Sequence, residues 1–170
     1  MFGKFKTDVT LFKTKFDDLI EWTVDNSWWW RPQNLSSATI QGLEIESELI
    51  DKEHLKANLN YTYLESKDRA TQKWLIYRPR HMYKLDIMCK PMRRLEVGMN
   101  AIYKTKRFTN AANTDILKHY ALFNLSSSFN VNDTAQVLFE IKNVFDRVYQ
   151  EQREYPLAGR SFYGGIKLEF

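Results

Sequence analysis

Apolar and polar residues alternate along most of the chain, and the alternation stops and resumes about eight times. The segment Leu55–Tyr63 shows it most cleanly. Leu55, Ala57, Leu59, Tyr61 and Tyr63 stand on one side, with Lys56, Asn58, Asn60 and Thr62 on the other. A period of two marks an extended strand with one apolar and one polar face. The pattern also runs through Phe5–Phe16, Ala38–Leu49, Tyr83–Lys90, Leu95–Lys104, Phe123–Val131, Gln136–Lys142 and Phe162–Phe170. Each segment approaches the roughly 9–11 residues that a tilted strand needs to cross a bilayer.

The connections add an order that a soluble sandwich does not need. Asp51–His54, Pro91–Arg94 and Val131–Thr134 read as tight turns. Between them lie long polar stretches at Trp22–Ser37, Glu65–Arg78, Thr105–Lys118 and Asp146–Gly159. Short periplasmic turns alternating with long outer loops are the plan of an outer-membrane barrel. Tyr61, Tyr63, Tyr83 and Tyr103 fall on the apolar side at the long-loop ends, where tyrosine buries its ring in lipid and wets its hydroxyl. The opposite side carries Glu44, Glu46, Lys56, Lys84, Asp86, Glu96, Glu140, Lys142 and Lys167 and must face water. The predicted fold is therefore all-β, an antiparallel up-and-down transmembrane β-barrel with about eight strands present. Two alternatives remain open. One is a small outer-membrane barrel closed from these eight strands, with a structural or adhesion role. The other is a soluble ligand-binding barrel of lipocalin type with its apolar side inward. Pairing of the first strand with the last would mark the former, and burial of Leu59, Leu85, Val97 and Phe139 the latter.

Composition narrows the partners. The chain has 170 residues, 44% hydrophobic and 15% aromatic, and a net charge of +4 whose basic residues are spread rather than blocked. Nucleic acid is not an expected partner. No apolar run reaches the roughly 18 residues of a membrane helix, a test that strands escape. A single cysteine, Cys89, gives no internal disulfide and is expected to be an inert lipid-facing residue. Met1-Phe2-Gly3-Lys4 leads straight into an alternating segment with no signal peptide, as in a mature exported protein or a piece of something longer.

Candidate chemistry is sparse. His54, His81 and His119 share no i, i+4 spacing, so no metal site is expected. Glu44, Glu46 and Glu48 suit a wetted lumen wall. No phosphate loop or Ser/His/Asp arrangement is evident, and neither catalysis nor a cofactor is expected. Trp28-Trp29-Trp30-Arg31 is either an outer-loop contact for a flat or hydrophobic ligand or lipid, or packing against neighbouring loops. Lys104, Lys106 and Arg107 suit either lipopolysaccharide phosphates or a solvated basic loop.

The segment Ile141-Lys-Asn-Val-Phe-Asp-Arg-Val-Tyr149, then Tyr155-Pro-Leu-Ala-Gly-Arg160 and the strand to Phe170, resembles the carboxyl end of the TonB-dependent outer-membrane receptors. The matching positions are Asn143, Val144, Phe145, Asp146, Tyr149, Pro156, Gly159 and Arg160. Asp17–Trp22 and Ala38–Glu46, with its Gly42-Leu43-Glu44 step, also look like the family. The resemblance implies that residues 1–170 are the carboxyl-terminal part of a barrel of about 22 strands, without the plug domain. It implies import of a ferric siderophore, haem or cobalamin across the outer membrane, with outer-membrane lipid and lipopolysaccharide around the barrel. Energy would come from the inner-membrane TonB complex through the plug. Phe170, with Leu168 and Ile166, is similar to the terminal signal read by the barrel-assembly machinery. The motif residues are expected to fold the barrel. Asn143 and Asp146 would bond local backbone, Gly159 would take a positive φ, and Arg160 would tie the loop to Glu151 or Glu154.

Overall fold

The computed structural model describes residues 3–24, 29–51 and 54–169, and none of them is helical. Eight strands form one antiparallel sheet in the order β1-β2-β3-β4-β5-β8-β9-β12. They are β1 (Lys4–Val24), β2 (Trp30–Asp51), β3 (Leu55–Asp68), β4 (His81–Met92), β5 (Leu95–Lys104), β8 (Tyr120–Asn130), β9 (Ala135–Lys142) and β12 (Ser161–Leu168). Two short ribbons lie in the long connections: β6 (Arg107–Phe108) with β7 (Ile116–Leu117), and β10 (Gln150–Gln152) with β11 (Tyr155–Pro156). Every neighbour in the large sheet is the next strand of that sheet in sequence, so the topology is up-and-down. β1 and β12 sit at opposite edges and do not pair with each other. The eight strands thus form an open sheet rather than a closed small barrel.

Register turns the period-two pattern into two continuous surfaces. One row runs Val9, Ile45, Tyr61, Tyr83, Tyr103 and Ala121 from strand to strand. Another links Leu59, Leu85, Ala101 and Phe123, and a third links Phe129, Val137 and Ile166. These apolar side chains are open to the surroundings: Leu59 is 44% exposed, Phe139 47% and Ile166 73%. A lipocalin-type core is therefore not what this face makes. A predominantly apolar surface that extends across eight strands, interrupted only by small hydroxyl residues such as the hydrogen-bonded Thr7–Ser47 pair and Ser127, belongs against lipid, not water.

The buried side chains lie elsewhere. Ala38, Leu75, Ile76, Leu117, Tyr120 and Leu122 are enclosed where the long connections fold over the ends of the strands. Tyr77 N–H donates to the Phe108 carbonyl at 2.8 Å, joining the β3–β4 and β5–β8 connections. Trp74 N–H donates to Asn113 Oδ1 at 2.7 Å, and Asn113 Nδ2 returns a bond to the Trp74 carbonyl at 3.0 Å.

Two expectations about the connections change. The stretch Trp22–Ser37 is not a loop: β1 and β2 stay paired up to Val24 and Trp30. With 21 and 22 residues they are about twice the length a crossing needs, and the outer half projects as a ribbon. Both faces of that half are wet, so its alternation is lost although its backbone ladder persists. Glu65–Asp68 likewise continues β3 before an Asx turn, in which Asp68 Oδ1 accepts from the N–H groups of Ala70 (2.7 Å) and Thr71 (2.9 Å). The tight turns at Asp51–His54, Pro91–Arg94 and Val131–Thr134 stay short, and the last is closed by Thr134 N–H on Asn132 Oδ1 at 3.0 Å. At Gly42 a side chain has no room: a Cβ would lie 2.2 Å from the Tyr63 carbonyl and 2.7 Å from the Phe12 ring, which rests across it.

Candidate functional site

The polar face carries a chain of amides. Asn100 Nδ2 donates to Asp86 Oδ1 at 2.7 Å, and Asn124 Nδ2 donates to Asn100 Oδ1 at 2.8 Å. Asn143 N–H then donates to Asn124 Oδ1 at 2.8 Å. The three side chains face one another directly in register across β4, β5 and β8. Each amide in the row is satisfied as donor and acceptor, so a water-facing wall is stiffened without burying an unpaired group.

Asn143 links this wall to the corner that follows β9. It is buried, and its Oδ1 accepts from Arg147 N–H at 2.8 Å. Its Nδ2 donates to the carbonyls of Arg147 (2.9 Å) and Ala158 (3.4 Å). Asp146 Oδ1 accepts from Arg160 N–H at 2.7 Å. Asn143 and Asp146 also take the positive φ values of the corner, 51° and 52°, in keeping with the tolerance of Asn and Asp for that region. Gly159 does not, contrary to expectation: no glycine has a positive φ. Its role is clearance, because a Cβ there would stand 2.6 Å from Asp146 Oδ1. Arg160 does not reach Glu151 or Glu154. Its Nη1 donates to the Val144 carbonyl at 3.4 Å, and its guanidinium lies 5.9 Å from the Phe162 ring. Phe145 points outward and meets Phe123 edge-on at 5.2 Å. Pro156 pairs with Gln150 in the outer ribbon.

Glu151 is the anchor of the outer cap. Its carboxylate accepts from Lys104 Nζ at 2.7 Å, from Arg107 Nη1 at 2.5 Å and from the Tyr120 hydroxyl. Arg107 Nη2 also donates to the Gln150 carbonyl at 2.9 Å, and its guanidinium lies 5.4 Å from the Tyr120 ring. Tyr149 stacks obliquely on Tyr120 at 4.9 Å. Burial alone would raise the Glu151 pKa, but the Lys104 and Tyr120 hydrogen bonds and the charges of Arg107 and Lys104 hold it below the ordinary value. Burial, then the Glu151 charge, pushes the Tyr149 hydroxyl up. A second clamp joins Arg153 to Asp115. Neither sequence alternative for Lys104 and Arg107 holds, since both are committed to Glu151 inside the cap. Lys106 alone of that trio is exposed.

The aromatic band stands where the tyrosines suggested and gains two histidines. Tyr61 and Tyr83 approach to 4.8 Å, Tyr83 and Tyr103 to 6.0 Å, and Tyr103 and His119 to 6.1 Å. The Tyr61 hydroxyl and His81 Nδ1 share a hydrogen bond of 2.9 Å. Among the tryptophans, Trp29 is 67% exposed at the tip of the β1–β2 ribbon, beside exposed Arg31. Trp28, the Trp30 side chain and Phe170 lie outside the described residues. Leu168 and Ile166 sit on the apolar face opposite Ala135 and Val137.

A sheet with lipid-facing apolar rows, a wetted polar face, an aromatic band and a folded outer cap is the wall of an outer-membrane β-barrel. Comparison with known proteins then specifies which kind. The chain belongs to the family described as TonB dependent receptor-like, beta-barrel, whose model matches residues 2–144. It is 30% identical over 166 residues to the vitamin B12 transporter BtuB of Photobacterium profundum, covering 95% of this chain and 27% of the transporter. It is 27% identical over 153 residues to the ferric-pyoverdine BN7/BN8 receptor of Pseudomonas putida, covering 88% of this chain and 18% of the receptor. The ferric-catecholate import receptor Fiu of E. coli K12 superposes with a TM-score of 0.79 at 16% identity, covering 98% of this chain and 25% of Fiu. The chain thus spans between 18% and 27% of the length of these proteins.

Proposed function

We propose that residues 1–170 form the carboxyl-terminal portion of the barrel of an active-transport receptor, without its plug domain. The receptor takes up cobalamin, a ferric siderophore or haem across the outer membrane, energised through TonB. The observation that carries this reading is the open eight-stranded sheet, lipid-facing outside, wet inside, and roofed by packed outer loops. A barrel closed from eight strands has an interior filled by side chains, whereas a wall built of many more strands encloses a plugged lumen wide enough for such cargo. The kinship with a vitamin B12 transporter and a ferric-pyoverdine receptor supports the same class.

In this reading the plug and the TonB contact lie elsewhere in the polypeptide. Ile166 and Leu168 of the last strand, with the terminal residue Phe170, are the signal that the barrel-assembly machinery engages. The run Trp28-Trp29-Trp30-Arg31, of which Trp29 and Arg31 stand exposed at the end of the projecting ribbon, meets the cargo, and lipopolysaccharide surrounds the wall. No residue has a catalytic role. The test is uptake of labelled cobalamin, ferric siderophore and haem by cells whose only such receptor is the intact protein carrying this chain, with and without TonB. TonB-dependent accumulation of one cargo is expected. No uptake by a barrel folded in the outer membrane, or uptake indifferent to TonB, would overturn it.

A further inference from the structure

Basic side chains gather on the lipid-facing side of the sheet immediately above the aromatic band. Leu11, Leu43, Tyr63 and His81 lie in one cross-strand row, the last apolar level before the outer half of the sheet. One step up, on the same face, the row reads Lys13, Gln41 and Glu65, and the next reads Lys15, Thr39 and Lys67. Two residues of strand advance about 7 Å, so these lysines stand at headgroup height. Arg80 joins them, because Trp74 is held between Lys67 Nζ at 4.9 Å and the Arg80 guanidinium at 4.4 Å.

The nearby carboxylates are already engaged. Glu65 accepts from Gln41 Nε2 at 3.0 Å and pairs with Lys67 at 2.8 Å. Asp17 pairs with Arg69 at 3.2 Å. Lys13 and Lys15 are exposed and have no ion-pair partner among the described residues. Long amines beside lipid, with no compensating charge paired to them among the described residues, suit an anion supplied by the membrane.

We propose that Lys13 and Lys15, with Arg80 beside them, form a binding site for the phosphates of the outer-leaflet glycolipid. The acyl chains lie on the apolar rows below, and the sugar–phosphate head rests against the Trp74 edge. This site is distinct from Lys104 and Arg107, which the cap consumes. It deepens the outer-membrane reading and rests on it.

The test is native mass spectrometry of the intact receptor in detergent. Three probes are added in turn: diphosphorylated lipid A, lipid A stripped of phosphate, and inorganic phosphate. The wild-type receptor should retain diphosphorylated lipid A, and neither of the other probes should compete. The pair Lys13→Gln with Lys15→Gln should weaken retention about 20- to 30-fold, at roughly fivefold per charge. Lys56→Gln on the polar face should leave it unchanged. Equal retention of the stripped lipid, or wild-type retention by the double variant, would overturn the site. Heat-modifiable mobility of the same samples reports whether the barrel folded. A folded barrel without lipid A sinks this site alone, and a chain that never enters the outer membrane sinks both readings.

Discussion

Replacing Glu151 by Gln should loosen the outer cap while leaving the sheet intact. The carboxylate gathers Lys104, Arg107 and Tyr120, and the Arg107 side chain is only 1% exposed, so it cannot turn to water for compensation. Stranding a fully buried charge costs about 3–5 kcal/mol. Two features reduce that here: Glu151 is 40% exposed, and Arg107 keeps its bond to the Gln150 carbonyl. A local cost of about 2 kcal/mol follows, equivalent to roughly 30-fold faster amide exchange over residues 105–118 and 146–159. Hydrogen-exchange mass spectrometry of the intact receptor at pH 7 reads this directly. The sign of the pH dependence is fixed too. Glu151 has a folded pKa below its ordinary 4.5, so its contribution is complete above that value and is lost as the pH falls below it. The wild-type cap should therefore open on acidification in that range, and the Gln variant should show no such transition. Unchanged exchange in both segments would refute the anchoring role, and equal acceleration throughout β3 and β4 would show a global effect instead.

Two further outcomes test the faces and the corner. Leu59→Arg, opposite Leu85 on the lipid side, should destabilise folding into lipid vesicles by about 2–4 kcal/mol in urea titration, whereas Asn58→Arg on the wet side should have little effect. Similar costs for both would reverse the assignment of the faces. Gly159→Ala puts a methyl on Asp146 Oδ1 and should cost about 1–3 kcal/mol, seen as protease cleavage within 146–160; resistance equal to wild type would remove the clearance argument.

What could be read from the chain beforehand was whatever a bilayer imposes locally. Leu59, Leu85 and Phe139 had to share a face because period two and lipid on one side leave no other arrangement. The Asn143–Arg160 motif was legible as a corner in which Asn143 and Asp146 bond the backbone, but two of its parts were not: Gly159 serves by clearance rather than by a positive φ, and Arg160 turns to the Val144 carbonyl. The outer half of β1 and β2 was invisible because water wets both sides and pairing there leaves no hydrophobic trace. Glu151 was equally hidden: its partners lie 31 to 47 residues away, and nothing local marks Arg107 as buried rather than solvated.

The amide row from Asp86 to Asn143 bears on how a wall of this kind finds its alignment. A strand that slips by one residue turns its apolar side toward water and is rejected by the bilayer. A slip of two restores the lipid-facing pattern and passes that inspection. It cannot restore the row: Asn100 would no longer face Asp86 or Asn124, and the Asn143 amide would lose its acceptor. Lipid thus proofreads odd errors, and the buried end of a hydrogen-bonded chain proofreads even ones.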